Sequence, residues 1–189
     1  MDLLKSCYTK RNKPGDRPTF FIKDSNGKEN VIRACGLIVS HLTSNGKTFL
    51  FREENKNGKN VLCDMGGKTD VGDKTVIDTL FREVAEETNC NLFGNHTYEK
   101  CIEMLNKVFE EASLTLYFIP SSKYLLVELM IDSDSPPFLA KVPRLKMKRF
   151  GLVEEAEGVK HYYKWIKNVK YKNLHIRLGR IFKQLFLTG

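Results

Sequence analysis

The chain has 189 residues, of which 41% are hydrophobic and 11% aromatic, and its formal net charge is +8 at pH 7. This length and composition indicate a soluble globular protein of one domain, and no apolar run approaches the roughly 20 residues that span a bilayer. Because the N-terminus also lacks the long apolar core of a secretory signal, the sequence excludes a membrane-spanning protein and predicts a cytoplasmic one.

The first third of the chain is predicted to form short strands joined by tight turns. Residues 1–18 are polar and are interpreted as an N-terminal extension, so that residues 19–189 form the single domain. Asn26-Gly27 favours the turn of a hairpin, and residues 55–60 are predicted to be a polar loop. The strands predicted here span residues 20–22, 31–32, 34–40, 48–51 and 61–63.

A helix is predicted over residues 75–88, with one apolar face buried and its glutamates directed away from that face. The predicted buried residues are Ile77, Leu80, Phe81 and Val84. A second helix is predicted over residues 98–112, followed by a hairpin of strands 114–119 and 124–131. A last strand is predicted over 159–166 and an amphipathic basic helix over 174–187, with Ile176, Leu178, Ile181, Phe182 and Leu185 on one side. This irregular alternation favours an α/β sandwich.

Three carboxylates crowd one face of the helix predicted over residues 75–88. Glu83, Glu86 and Glu87 are spaced i, i+3 and i+4, which places them within an arc of about 100°. Like charges at this spacing repel one another and weaken a helix, so their presence indicates cations at this face. Carboxylate oxygens are hard ligands suited to Mg²⁺ or Mn²⁺, and Mg²⁺ is commonly held by one or two carboxylates plus substrate phosphates. The segment therefore predicts a phosphate-processing metal site.

The stretch from Gly67 to Cys90 resembles the Nudix box, a loop-helix-loop pattern written G-x5-E-x7-R-E-U-x-E-E-x-G-U, where U is a bulky aliphatic residue. Gly67 matches the first glycine. The R-E-U-x-E-E core is matched without a gap by Arg82, Glu83, Val84, Glu86 and Glu87. The resemblance implies the Nudix-like α/β/α sandwich with a mixed β-sheet. It also implies hydrolysis of a diphosphate (phosphoanhydride) bond linked to a nucleoside or a similar group.

The front and the end of the box depart from the family pattern. Asp73 stands where the first glutamate belongs, and eight residues rather than seven separate it from Arg82. Asp73 keeps the negative charge on a shorter arm. Asn89 replaces the late glycine, which is a mild change because asparagine also accepts a left-handed helix cap.

The resemblance implies a role for each matched residue. Glu83, Glu86 and Glu87 are expected to hold Mg²⁺ or Mn²⁺ as the cofactor, with a further ligand from the glycine turn at Gly67. Such an ion would neutralise the diphosphate oxygens and lower the pKa of a bound water. The catalytic candidates within the box are Glu86, Glu87 and Arg82, and Arg82 is expected to brace the carboxylates rather than to touch substrate.

A general base is expected outside the box. Nudix enzymes often take an extra glutamate from the loop before the final strand, and here Glu155 and Glu157 precede the last predicted strand. Both are candidates, and an exposed acidic turn is the alternative interpretation. Trp165 in that strand is interpreted as core packing rather than as a platform on which a base stacks.

The positive charge is concentrated near the C-terminus: residues 141–189 carry a net +10, whereas residues 1–140 carry a net −2. This asymmetry suggests a polyanionic partner or substrate, the alternative being a solvated lysine-rich face. The candidate substrate-binding residues are Lys68, Arg52, Lys146 and Arg149. The basic C-terminal part favours capped RNA (mRNA decapping) or an inositol pyrophosphate as the substrate over a nucleotide sugar. It does not distinguish capped RNA from inositol pyrophosphates.

Another class of function stays open, namely a non-catalytic nucleotide- or RNA-binding module on a Nudix fold. The intact carboxylates argue against it, whereas Asp73 and the inserted loop residue leave it open. A purely structural scaffold gives no reason for three clustered glutamates. The sequence does not indicate an oligomeric state.

Overall fold

A computed structural model describes residues 8–10, 13, 15–24, 26–94, 97–144, 162–167, 169–170 and 173–187. Within them the strands are β1 Tyr8–Lys10, β2 Thr19–Lys23, β3 Glu29–Ile32, β4 Ala34–Thr43, β5 Gly46–Lys56, β6 Lys59–Cys63, β7 Met65–Lys68, β8 Leu114–Ile119, β9 Tyr124–Ile131 and β10 Tyr162–Ile166. The helices are α1 Val76–Thr88, α2 Tyr98–Glu111 and α3 Ile176–Leu187, with the 3-10 helices η1 Pro120–Ser122 and η2 Pro137–Arg144. None of these described helices is long and apolar enough to cross a membrane.

The strands form a small antiparallel sheet and a larger mixed sheet, so the protein belongs to the α/β class. The small sheet has the order β1-β2-β3. The large sheet has seven strands, with the order β10-β5-β4-β9-β8 and with β6 beside β5 and β7 beside β4. The pairing of β4 with β9 is parallel, and the other strand pairs are antiparallel. This mixed pairing places β4 at the centre of the sheet.

Strands β4 and β5 pair at one end and then separate, which opens a gap that we call the fork. The paired end joins Val39–Thr43 to residues 46–50. Beyond it, the start of β4 pairs with β7, and the end of β5 pairs with β6. The chain crosses from β6 to β7 through Asp64, so this residue lies at the fork.

Helices cover both faces of the large sheet because side chains alternate along its strands. On β4, Leu37 and Val39 pack into a core with α1 and α2, whereas Ile38 packs into a second core with α3. Phe81 of α1 and Phe109 of α2 meet edge to face at 5.0 Å in the first core. The four described cysteines are free thiols, and three of them are buried.

Helix α1 begins and ends where the sequence predicted, because local signals specify both ends. At the start, the Asp78 N–H donates to the Thr75 hydroxyl at 3.1 Å, and the Thr75 N–H donates to the Asp78 carboxylate at 2.8 Å. This reciprocal pair is a capping box. At the end, Asn89 takes the left-handed conformation with φ 48°, the conformation that the resemblance had assigned to glycine.

Replacing Thr75 with alanine is expected to lower the free energy of unfolding by about 1 kcal/mol. The reason is that the Asp78 N–H loses its acceptor at a helix end that has few other partners. Urea denaturation of the variant measures the change. The Thr75→Ser variant keeps the hydroxyl and should unfold like the wild type, so an equal loss in both variants would contradict this account of the cap.

The buried face of α1 is wider than the sequence predicted. Leu80, Phe81 and Val84 are buried as expected, and Ile77 is half-buried. The prediction that the glutamates point away from the buried face is wrong for Glu87, which is only 6% exposed. A buried carboxylate is tolerated where it has hydrogen-bond and ionic partners, and here Gly66 of β7 and Arg52 of β5 supply them.

The polar loop predicted over residues 55–60 is instead a tight hairpin. Strand β5 continues to Lys56 and β6 starts at Lys59, so only Asn57 and Gly58 form the turn. Both have positive φ, 53° and 76°, as a two-residue primed turn requires. Polar composition indicated a loop here, but the turn residues allow the exposed ends of both strands to stay paired.

The described strands and helices in the second half of the chain follow the prediction closely, with one misplaced residue among the described side chains. Residues 159–161 of the predicted last strand and the side chain of Leu185 lie outside the described part. Helix α2 and the hairpin of β8 and β9 are confirmed, and the last strand is described over Tyr162–Ile166. Trp165 packs against the first core, which agrees with its interpretation as packing. Ile176 was predicted on the apolar side of the last helix and is 74% exposed, whereas Leu178 is buried. Ile176 opens the helix, and its neighbour Arg177 is the residue that turns inward.

Part of the predicted N-terminal extension joins the small sheet. Strand β1 lies within residues 1–18 and pairs antiparallel with β2, opposite Thr19, Phe20 and Phe21. Its polar sequence gave no strand pattern because it lies at the sheet edge, where the two described side chains are exposed.

Candidate functional site

Helix α1 packs against β7 so that two of its carboxylates meet the strand's glycines. The Gly66 N–H donates to Glu87 Oε2 at 2.8 Å. A Cβ built on Gly67 would lie 2.4 Å from Glu83 Oε2. Neither glycine has a positive φ, so their backbone conformation does not require glycine. The glycines are needed because carboxylates and neighbouring strands occupy the space that side chains would fill.

Glu87 is a buried carboxylate paired with a buried arginine. Its Oε1 lies 3.0 Å from Arg52 Nη2, and Arg52 also pairs with Glu54. Burial raises the pKa of Glu87 well above its ordinary value, and the positive charge of Arg52 opposes that rise. Arg52 was a candidate for substrate binding from the sequence. In the structure, Arg52 contacts Glu87 and only 5% of its surface is exposed.

Arg82 contacts two carboxylates of α1 and the end of β7. Its Nη1 donates to Glu83 Oε1 at 2.9 Å and to Glu86 Oε2 at 3.0 Å. Its Nη2 donates to the carbonyl of Lys68 at 2.9 Å, which ties the helix to the end of β7. Burial raises the pKa of Glu83, and the positive charge of Arg82 opposes that rise. The Glu86 side chain is 54% exposed.

Asp73 binds Arg82 from the opposite side. Its carboxylate accepts from Arg82 Nε and Nη2, both at 3.2 Å, and from the Thr79 hydroxyl at 2.7 Å. The Asp70 N–H donates to it at 2.7 Å, within a turn closed by the Asp73 N–H and the Asp70 carbonyl. Burial opposes the ionised form, but these donors hold the pKa of Asp73 below its ordinary value. The loop with the inserted residue thus directs the shorter Asp73 arm onto Arg82.

An ion pair between Asp64 and Arg177 lies at the fork, and the sequence did not predict it. Arg177 of α3 donates from Nε to Asp64 Oδ1 at 2.9 Å and from Nη2 to the Gly66 carbonyl at 3.1 Å. The Tyr124 hydroxyl donates to the other oxygen of Asp64, and the Arg177 guanidinium lies 4.7 Å from the Tyr124 ring centre. The available signals were a lone carboxylate between two strands and an arginine four residues before the buried Ile181.

The structure brings some of the predicted site residues together and leaves others unplaced. The residues assembled around β7 are Gly67, Arg82, Glu83, Glu86 and Glu87. Lys68 is exposed at the end of the same strand. The candidates that lie outside the described residues are Glu155, Glu157, Lys146 and Arg149.

The oxygen atoms around β7 are of the chemical type that Mg²⁺ and Mn²⁺ prefer as ligands. Three carboxylates and the carbonyls of β7 are hard oxygen donors, and the absence of a side chain on Gly67 leaves Glu83 room against the strand. Over the described residues, no three His, Cys, Asp or Glu side chains are grouped closely enough to hold an ion. The cations next to these glutamates are Arg82 and Arg52. The arginines therefore supply part of the charge compensation that the sequence led us to expect.

No protein-family model and no curated protein matches the chain. The assignment of a function therefore depends on the residues of the site and their contacts.

Proposed function

We propose that the protein is a metal-dependent hydrolase of phosphoanhydride bonds with a Nudix-type site and a Nudix-like sandwich fold. The observation that carries the proposal is the contact between α1 and β7. Glu83 and Glu87, two of the three clustered carboxylates, lie directly against Gly66 and Gly67, and Arg82 connects the acidic face to the same strand. A solvated acidic helix face would not need this close approach to a glycine strand.

Each residue of the site has a role in this proposal. Glu83, Glu86 and Glu87, with the Gly67 backbone, would hold Mg²⁺ or Mn²⁺. The bound ion would neutralise phosphate oxygens and lower the pKa of a water molecule. Arg82 keeps Glu83 and Glu86 on one side of the helix, and Asp73 fixes the position of Arg82. Glu155 and Glu157 remain the candidates for the general base.

The substrate proposed is a nucleoside diphosphate derivative or a related polyphosphorylated compound. Capped RNA and inositol pyrophosphates belong to this group, and the net +10 charge of residues 141–189 favours both of them over less charged compounds. Product mass identifies which bond is broken. A panel that contains nucleotide sugars, dinucleoside polyphosphates, inositol pyrophosphates and capped RNA therefore tests the activity and the substrate class together.

Replacing Glu87 with glutamine is expected to reduce hydrolysis of the preferred substrate at least about a hundredfold, or about 2.7 kcal/mol of transition-state stabilisation. Glutamine keeps the shape of the side chain but removes the charge that a metal ion requires. Steady-state kinetics with Mg²⁺ and with Mn²⁺ measures the loss, and thermal unfolding checks that the variant is folded.

The matched control is Glu103→Gln, which removes one exposed carboxylate from α2 and should leave turnover unchanged. If the wild-type protein cleaves no member of the panel with either ion, the hydrolase proposal fails. Binding of a nucleotide or RNA without cleavage would then support the non-catalytic module.

A further inference from the structure

A cavity of about 430 Å³ lies next to β7, outside the group of glutamates. Four separate parts of the chain line it: residues 16–19, the start of β4 with Arg33, the end of β7 with Lys68 and Thr69, and Ser122 of η1. Its volume lies within the range of roughly 300–1,000 Å³ that is usual for small-molecule sites.

Backbone hydrogen bonds hold the walls of this cavity in place. The Thr69 N–H donates to the Arg33 carbonyl at 3.0 Å, and the Arg33 N–H donates to the Lys123 carbonyl at 2.8 Å. The Thr69 hydroxyl, which is buried, donates to the Pro18 carbonyl at 2.9 Å. Because the four lining segments are tied to one another, the cavity is a feature of the folded chain and does not depend on a single exposed loop.

The side chains around the cavity are predominantly cationic. Arg17, Arg33 and Lys68 line it, against one acidic residue, Asp16. Arg33 donates from Nε to the Thr19 hydroxyl at 3.2 Å, which orients its guanidinium. In the described part of the chain, neither Arg33 nor Lys68 has a carboxylate within 4.0 Å. Among the described residues, the acidic contact of Arg17 is a long one, with 4.0 Å between its Nε and Asp70 Oδ1. Two cations without acidic partners that share one cavity create a site for an anion.

The cavity is joined to the glutamates through β7. The Lys68 carbonyl accepts the hydrogen bond from Arg82, while its side chain lines the cavity. Its neighbour Gly67 is the residue in contact with Glu83. Strand β7 therefore contributes one residue to the carboxylate group and the next residue to the lining of the cavity.

We propose that this cavity binds the terminal phosphate groups of a polyphosphorylated ligand, with Arg33 and Lys68 as the main contacts and Arg17 as a third. That the ligand is the substrate rests on the proposed function. The binding of a polyphosphate does not rest on it, because the cationic cavity lies outside the carboxylate group.

Isothermal titration calorimetry with inorganic tripolyphosphate tests the proposal on the full chain. EDTA is added so that no hydrolysis occurs, and the ionic strength is held constant. Arg33→Gln and Lys68→Gln are each expected to raise the Kd by roughly tenfold, and the double variant by roughly a hundredfold. The control is Lys100→Gln, which removes an equal charge from the exposed first turn of α2 and should bind like the wild type. Thermal unfolding verifies that all variants are folded.

The experiment has outcomes that overturn the proposal. The proposal is overturned if the wild-type protein does not bind tripolyphosphate. It is also overturned if the double variant binds tripolyphosphate as tightly as the wild type. Competition with an RNA that carries a 5′-triphosphate, beside the same RNA with a 5′-hydroxyl, identifies the source of the phosphates. Equal competition by both RNAs would assign the affinity to the RNA backbone and would refute a terminal-phosphate site. Since the titration contains no divalent ion, inactivity in the hydrolase assay leaves these outcomes unaffected.

Discussion

Replacing Arg177 with methionine is expected to lower the free energy of unfolding by about 3–5 kcal/mol, the cost of leaving a buried charge unpaired. The Asp64 side chain has no exposed surface, and Arg177 Nη2 lies 2.7 Å from its Oδ1. Methionine retains the apolar stem but supplies no donor. Asp64 would keep only the Tyr124 hydroxyl among its side-chain partners in the described residues, and the Gly66 carbonyl would lose a donor. Equilibrium urea denaturation measures the loss.

Two further variants distinguish the loss of this ion pair from other effects at α3. Arg180→Met changes an exposed arginine on the same helix and is expected to stay within about 0.5 kcal/mol of the wild type. Combining Asp64→Asn with Arg177→Met removes both charges, so the double variant should be less destabilised than the sum of the two single variants. Additive losses, or an Arg177→Met variant as stable as the wild type, would contradict the buried pair.

Alanine is expected to have a different effect at each of the two glycines of β7. Gly66→Ala should lose stability, whereas Gly67→Ala should lose activity with little loss of stability. At Gly66, an added Cβ would lie 2.3 Å from both the Cys35 carbonyl oxygen and the Gly36 Cα. These are backbone atoms of β4, which can move only if the strands separate. We expect Gly66→Ala to lose about 3 kcal/mol or more, at the upper end of the cost of overpacking.

At Gly67, the atoms nearest to an added Cβ belong to the carboxylate of Glu83, at 2.4–2.6 Å. A carboxylate at the end of a flexible side chain can move away, so Gly67→Ala should fold with a loss of less than about 1 kcal/mol. It would, however, displace Glu83 from the strand and reduce the proposed hydrolysis strongly. Thermal unfolding and steady-state kinetics on both variants measure the contrast. A folded Gly67→Ala protein with full activity would show that hydrolysis does not depend on the position of Glu83.

The sequence predicted most of the local structure of this protein because the responsible signals are local. The capping residues at Thr75 and Asn89 determine α1, and the Asn26-Gly27 turn connects β2 to β3. The same local pattern placed Glu83, Glu86 and Glu87 on one side of a helix and indicated cations beside them. The error over residues 55–60 has the same origin, since polarity was given more weight than the Asn57-Gly58 turn signal.

Only the tertiary structure decided which carboxylates are buried and what they contact. Helical periodicity assigns a residue to a side of its own helix, but it does not reveal which strand will cover that side. Glu87 is therefore buried against Gly66 and Arg52, although the sequence predicted that it points away from the buried face of its helix. Arg177 reaches Asp64 across 113 residues, through a fork that exists only because β4 and β5 separate. The sequence by itself determined the spacing of the charges, whereas their partners depended on long-range strand pairing.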